Sequence, residues 1–271
     1  MCGMNHSELL DDVLAAARRA GADAADVVLV ERRALAVDWR LGALETIERE
    51  DMVDLGVRVL VGGRAATVAT NRLDRTSIEP LVEDAVAAVR LLPEDSWAGL
   101  ANPEQLATGW PDLDLVDPDE PTLGQLQRAA AAAEDAAHSI AGVSNSDGAS
   151  AYWSDNRFTL VATNGFRGTY RRTQHGVGVT VIAGTGTDMQ RDHEQRRATH
   201  RLDLPDPEAI GRLAGERTVR RLGPRKVPTT SVPVVYAPRA ATSLLRHLAG
   251  AIGGEAVAAG RSFLKRSEEH T

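Results

Sequence analysis

The stretch that decides the fold is 53–71, "VDLGVRVLVGGRAATVATN". Two runs rich in Val, Leu and Thr flank Gly62-Gly63. A Gly-Gly pair between β-rich runs predicts a two-residue hairpin, because both central residues of that turn need a positive φ, which glycine adopts without steric penalty. So short a connection joins only antiparallel strands. Upstream, "ADVVLVERRALAVDWRLG" (25–42) and "LETIERED" (44–51) read as further strands, the second alternating apolar and acidic residues. A helix precedes them over "ELLDDVLAAARRA" (8–20), where Leu9, Leu10, Val13, Leu14 and Ala17 keep helical spacing. Ser7 is its expected N-cap and Gly21 its stop. A second helix is predicted over "SIEPLVEDAVAAVRLL" (77–92), with Pro80 in its first turn. These elements make a first domain over 1–92, a helix and antiparallel-sheet unit.

Residues 93–121 are rich in Pro, Asp and Gly and read as a linker, with Trp97 and Trp110 as expected anchors. A second, central α/β domain over 122–224 opens on an alanine-rich helix capped by Thr122. It continues through "VSNSDGASAYWSDNRFTLVATNGFRGTYRRTQHGVGVTVIAG" (143–184). There the alternation of β-formers with polar residues and glycine turns predicts an antiparallel sheet with one wet face. "GVGVTV" and "GTGTDM" do not open a helix after a strand, so the glycines mark turns rather than a dinucleotide site. Asp206-Pro207 starts another helix, ended by Gly223-Pro224. From 225, "TTSVPVVYAP" reads as a buried-type strand and "RAATSLLRHLAGAIGGEAVAAG" as a helix, with His247 expected as a hydrogen-bonded core residue. The fold class is therefore α+β.

The 271 residues carry 43% hydrophobic and 25% charged side chains, an ordinary globular balance. A net charge of −7 without a basic patch argues against nucleic acid as a partner. The single cysteine, Cys2, allows neither an internal disulfide nor a cysteine-rich zinc site. No apolar run approaches the ~20 residues that span a bilayer, so the expectation is a cytoplasmic protein without membrane partners.

One segment invites a metal reading. "HEQRRATH" (193–200) places His193 beside Glu194, with His200 downstream. A zincin sets its two histidines one helical turn apart, so that both imidazoles reach one ion and the adjacent glutamate acts as base. Here the histidines are seven apart, a rise of roughly 10 Å on a helix. Arg191, Arg196, Arg197 and Arg201 crowd the stretch, and cations oppose a dication. A solvated, charge-laced strand or loop is the expected reading.

Taken in order, "GADAADVVLVERRALAVDWRLGALETIERED", "DLGVRVLVGGRAATVATNRL", "TNGFRGTYRRTQHGVGVTVIAG" and the stretch from Ile210 to Lys265 resemble the TldD/PmbA family, in its PmbA (TldE) branch. The resemblance covers about residues 8–265. It implies a metallopeptidase system acting on flexible peptides, including peptide-antibiotic maturation and antitoxin turnover. The working enzyme would be a heterodimer, whose TldD-like catalytic subunit holds zinc through H-E-x-x-x-H on a helix of the last domain. In this sequence those motif positions fall at Arg246, His247 and Ala251, all substituted. The resemblance thus implies no zinc in this chain, zinc in the partner subunit, and a subunit inactive alone that helps enclose the peptide. It also implies that 225–265 begins a β-rich C-terminal domain cut short, with apolar surface left bare at Leu244, Leu245, Leu248 and Ile252; separately, "RSEEHT" (266–271) resembles a translated sequencing adapter and is expected to be a non-native tail. Two other readings stay open. One is a metallopeptidase in its own right, with ligands drawn from His175, His193, Glu194, His200 and His247. The other is a peptide-binding module without peptidase role.

Overall fold

The computed structural model describes residues 6–264; Cys2 and the 266–271 tail lie outside the described residues. The chain divides into two compact units, Met1–Pro224 and Arg225–Thr271. The first is built as α1 (His6–Arg19), β1 (Ala24–Arg40), β2 (Ala43–Val61), β3 (Arg64–Thr70), α2 (Arg75–Val89), α3 (Leu123–His138), β4 (Val143–Ala162), β5 (Arg167–Ala183), β6 (Gln190–Ala198) and α4 (Pro207–Val219). The order helix, three strands, helix therefore occurs twice. The two triplets form one six-stranded antiparallel sheet, β3-β2-β1-β4-β5-β6, joined where β1 pairs with β4 from Asp26↔Ala162 to Trp39↔Ala149. The segments 1–92 and 122–224 thus share one sheet.

The expected hairpin is present, with Gly62 and Gly63 both at positive φ (54° and 70°) between β2 and β3. All four helices cover the same face of the sheet. Along β1 the inward positions are Ala25, Val27 and Leu29, then Leu35, Val37 and Trp39. The first three join α1 and α2 in one core with Val57, Val82 and Val86. The last three meet α3 and α4 in a second core with Ala133, Val179 and Ile210. One strand of 17 residues serves both cores, well beyond the usual strand length. Between the cores the inward side carries charge: Asp155 accepts from both Arg33 and Arg171. The hydrogen bonds from Arg171 act first, with those from Arg33 beside them, to hold Asp155 below the ordinary carboxylate range despite its burial.

The two cores are locked by a contact between the halves. The β1–β2 turn passes through Leu41 at φ 49°, a conformation a bulky residue rarely adopts. Glu134 on α3, 1% exposed, accepts hydrogen bonds from Leu41 N (3.0 Å) and Gly42 N (3.1 Å). Glu134→Ala is expected to destabilise the protein by about 2 kcal/mol, through loss of two charge-assisted hydrogen bonds. Leu41→Gly is expected to recover part of that by relieving the turn. Urea unfolding of both variants checks it, and an unchanged midpoint for Glu134→Ala would refute the role.

Several local expectations need correction. Ser7 lies inside α1, whose described part starts at His6, rather than capping it. The second helix starts earlier than its apolar pattern showed, because Asp74 accepts from Ser77 N as N-cap; Pro80 then sits in the helix interior. Thr122 does cap α3, in a reciprocal pair with Gln125. Trp97, 91% exposed, is no anchor; Trp110, 56% exposed, lies along β5, where a Cβ at Gly168 would stand 3.4 Å from its ring. The linker is also held by its own polar groups, which bond to β5. Thr173 N donates to Leu115 O, and Asp117 N donates to Thr173 Oγ1.

The second unit contains α5 (Pro238–Ala251) and α6 (Gly254–Ala258). "TTSVPVVYAP" is not a strand: 230–237 has no ladder partner and its Val232, Val234 and Val235 are exposed. An isolated run cannot satisfy its backbone as a strand, and Pro228 and Pro233 remove two donors. Leu244, Leu245, Leu248 and Ile252 are 48%, 68%, 47% and 63% exposed, as expected from the sequence.

Candidate functional site

The strand pattern that buries one face of the sheet under α1 to α4 turns a polar and aromatic set of side chains to the other. There β1, β2, β4, β5 and β6 form an open trough of ≈ 630 Å³. Its wall carries Phe158 stacked on Tyr170, with centroids 4.8 Å apart, and Tyr152 lying across Gly176. A Cβ at 176 would sit 2.3 Å from the Tyr152 ring, so glycine is required for the ring to lie flat on the strand. Arg32, paired with Glu50 at 2.7 Å, and Arg172 bring charge to the same surface. Aromatic faces, paired charges and amides such as Gln174 make a surface for an extended polar chain rather than for a small apolar molecule.

The residues weighed as metal ligands are scattered. His193 and Glu194 are neighbours on β6, so the pleat sends them to opposite faces. His193 is on the trough side, whereas Glu194 is 4% exposed and ion-paired with Arg196 and with Arg217 of α4. His200 lies beside Asp114 in the linker. His247 is on α5, exposed rather than in a core. Arg246 is its neighbour on the same helix, and Ala251 closes it. Among the described residues no three His, Cys, Asp or Glu side chains converge to hold a metal.

His175 is the buried member, 2% exposed, with Nε2 3.1 Å from the Asp117 carboxylate. Asp117 also accepts from Arg201 N and Asp119 N. Burial pushes Asp117 up, but those backbone donors together hold it below its ordinary value. Sequence reading missed this carboxylate; its signal was an Asp-Pro step inside a linker, too common to single out. Burial pulls His175 down against the attraction of Asp117, so it is neutral near pH 7. A folded value below the unfolded one means that the unfolded chain takes up this proton first. The stabilisation is complete above about pH 6.5 and is lost as the pH falls below it. His200 works in the opposite sense, raised chiefly by its bond to Asp114, but it is solvent-screened. Thermal stability is therefore expected to fall between about pH 7.5 and 5.5, and His175→Gln to flatten that slope. An unaltered slope would remove His175 from this role.

Two sheet-forming triplets with their four helices on one face define the architecture of the first unit, and comparison with known proteins gives the chain a family. Residues 25–89 match the model described as PmbA/TldA metallopeptidase domain 1, and 111–222 match the PmbA/TldA metallopeptidase central domain. The chain belongs to the PmbA/TldD family. It is 32% identical over 243 residues to Metalloprotease PmbA of Escherichia coli O157:H7, covering 89% of this chain and 54% of that protein. It is 29% identical over 253 residues to the PmbA homolog of Haemophilus influenzae, covering 92% and 55%. The chain thus spans about half the length of the curated relatives it matches. A solved structure from Bacteroides thetaiotaomicron, named as a candidate modulator of DNA gyrase, superposes with a TM-score of 0.89 at 25% identity, covering 97% of this chain and 61% of that one. TldE from Thermococcus kodakarensis shares the fold at a TM-score of 0.64 and 13% identity, covering 78% and 47%. Among the described residues no helix is long and apolar enough to cross a membrane.

Proposed function

We propose that this chain is the PmbA/TldE-like, non-metal-binding subunit of a cytoplasmic two-subunit metallopeptidase that hydrolyses flexible peptides. The zinc and the general base belong to a TldD-like partner. This chain pairs with that partner and presents its aromatic trough toward the peptide. The observation that supports the reading is the donor set on α5. The positions matching the zinc motif hold a guanidinium, an imidazole and a methyl group, at Arg246, His247 and Ala251. A guanidinium has no lone pair to give and a methyl group has no donor atom, so these residues do not fit a zinc ion. No step of peptide hydrolysis is assigned to them.

The test is zinc stoichiometry by elemental analysis after dialysis without chelator, with peptide hydrolysis assayed alone and after mixing with a TldD-like subunit. The expected result is near zero zinc, no turnover alone, and turnover in the mixture that depends on this chain. About one zinc per chain with turnover alone would overturn the proposal.

A further inference from the structure

We propose that residues 43–54 of β2 form a docking edge for an extended basic strand supplied by another polypeptide. β3 pairs with β2 only from Leu55 to Val61, so the preceding twelve residues have β1 on one side and no strand on the other. Every side chain from Ala43 to Arg49 is exposed, on both faces of the strand, so no helix or loop among the described residues covers this edge. At about 3.4 Å per residue it offers roughly 40 Å of unpaired backbone.

Exposed edges of this length invite pairing, and proteins ordinarily shorten, cover or charge them. Here the charge has one sign. Glu45, Glu48, Glu50, Asp51 and Asp54 face a single Arg49 within the stretch. Glu50 is taken by Arg32 and Glu45 by Arg40, which leaves the carboxylates of Glu48, Asp51 and Asp54 without an ion-pair partner among the described residues. Leu44 and Ile47, 38% and 47% exposed, lie between the acids and supply apolar contact.

The same field that repels an acidic strand selects one of opposite sign. It rejects a second copy of this edge, which would set carboxylate against carboxylate. The β6 edge of a second copy is a poor match as well, because two of its three arginines, Arg191 and Arg196, are already engaged by Asp147 and Glu194, and it carries Asp192 and Glu194 of its own. The partner that fits is a strand with Lys or Arg at alternate positions, adding to the sheet through main-chain hydrogen bonds. This inference stands on the sheet edge alone, not on the assignment of α5.

Amide hydrogen exchange of the full chain tests it, with two synthetic peptides as probes, one alternating lysine and valine, the other glutamate and valine. The lysine peptide is expected to slow exchange at alternate amides between 46 and 54 by about tenfold or more. The glutamate peptide is expected to leave them unchanged, and protection should fade at ~0.5 M salt. The triple variant Glu48→Lys, Asp51→Lys, Asp54→Lys is expected to reverse the preference. Absence of protection by the lysine peptide in the unaltered chain, or equal protection by both peptides, overturns the proposal.

Discussion

Gly211→Ala is expected to destabilise the first unit by about 3 kcal/mol, a fall of roughly 10 °C in Tm for a unit of this size. The reason is the crossing of α3 and α4. A Cβ at 211 would stand 2.0 Å from Ala133 O and 3.0 Å from Ala136 Cβ. One turn on, a Cβ at 215 would meet Ala137 O at 2.8 Å. Backbone atoms cannot swing aside as a flexible side chain can. The helices must separate, and the core formed by Ala130, Ala133, Ala137, Ile210 and Ala214 opens with them. Gly124→Ala is the control. That glycine is also helical, but the nearest atom to its new Cβ would be the end of Arg128 at 3.5 Å. Its effect is expected to be neutral or stabilising by less than about 1 kcal/mol. Thermal unfolding of both decides the matter: a loss below about 1 kcal/mol at 211 would mean that the helices do not pack as tightly as described.

Glu194→Ala is expected to be the next most damaging change, at about 2–3 kcal/mol. The carboxylate is buried between Arg196 and Arg217, and its removal strands Arg217, whose side chain is only 30% exposed, against α4 and β6. The figure sits at the lower end for broken buried pairs because both arginines keep contact with water. Glu194→Ala combined with Arg217→Met should recover more than half of the loss, since no uncompensated charge then remains. Additive losses in the double variant would show that the pair does not act as a unit.

Glu194 also marks the limit of what the sequence could say. The charged, non-helical reading of "HEQRRATH" rested on histidine spacing and on the surrounding arginines, and β6 runs through most of it, but the stretch is not solvated throughout. Burial of Glu194 was not legible, because its partner Arg217 comes from a helix that a strand-level reading cannot place. The hairpin at Gly62-Gly63 was legible because a two-residue turn has few conformations. The joining of the two halves was not. "VVLVERRALAV" reads as one strand in one domain, yet the charged "ERR" divides two patches that face different helix pairs. With hindsight, charge in the middle of an otherwise apolar strand was the available signal. The exposed Leu244, Leu245, Leu248 and Ile252 were anticipated through the family resemblance and not from the pattern of the helix itself. The strand expected before them failed because strand formation depends on a pairing partner, which β-propensity does not report.

The central pairing of β1 with β4 has a consequence for how the protein is made. Val27 meets Val161 across this seam. A ribosome has released β1, β2 and β3 long before β4 exists. During that interval the apolar strand that will lie at the middle of the sheet is an open border on the nascent chain. The amino-terminal half expressed by itself would keep that border permanently, and should accumulate in inclusion bodies unless the second half is supplied in trans.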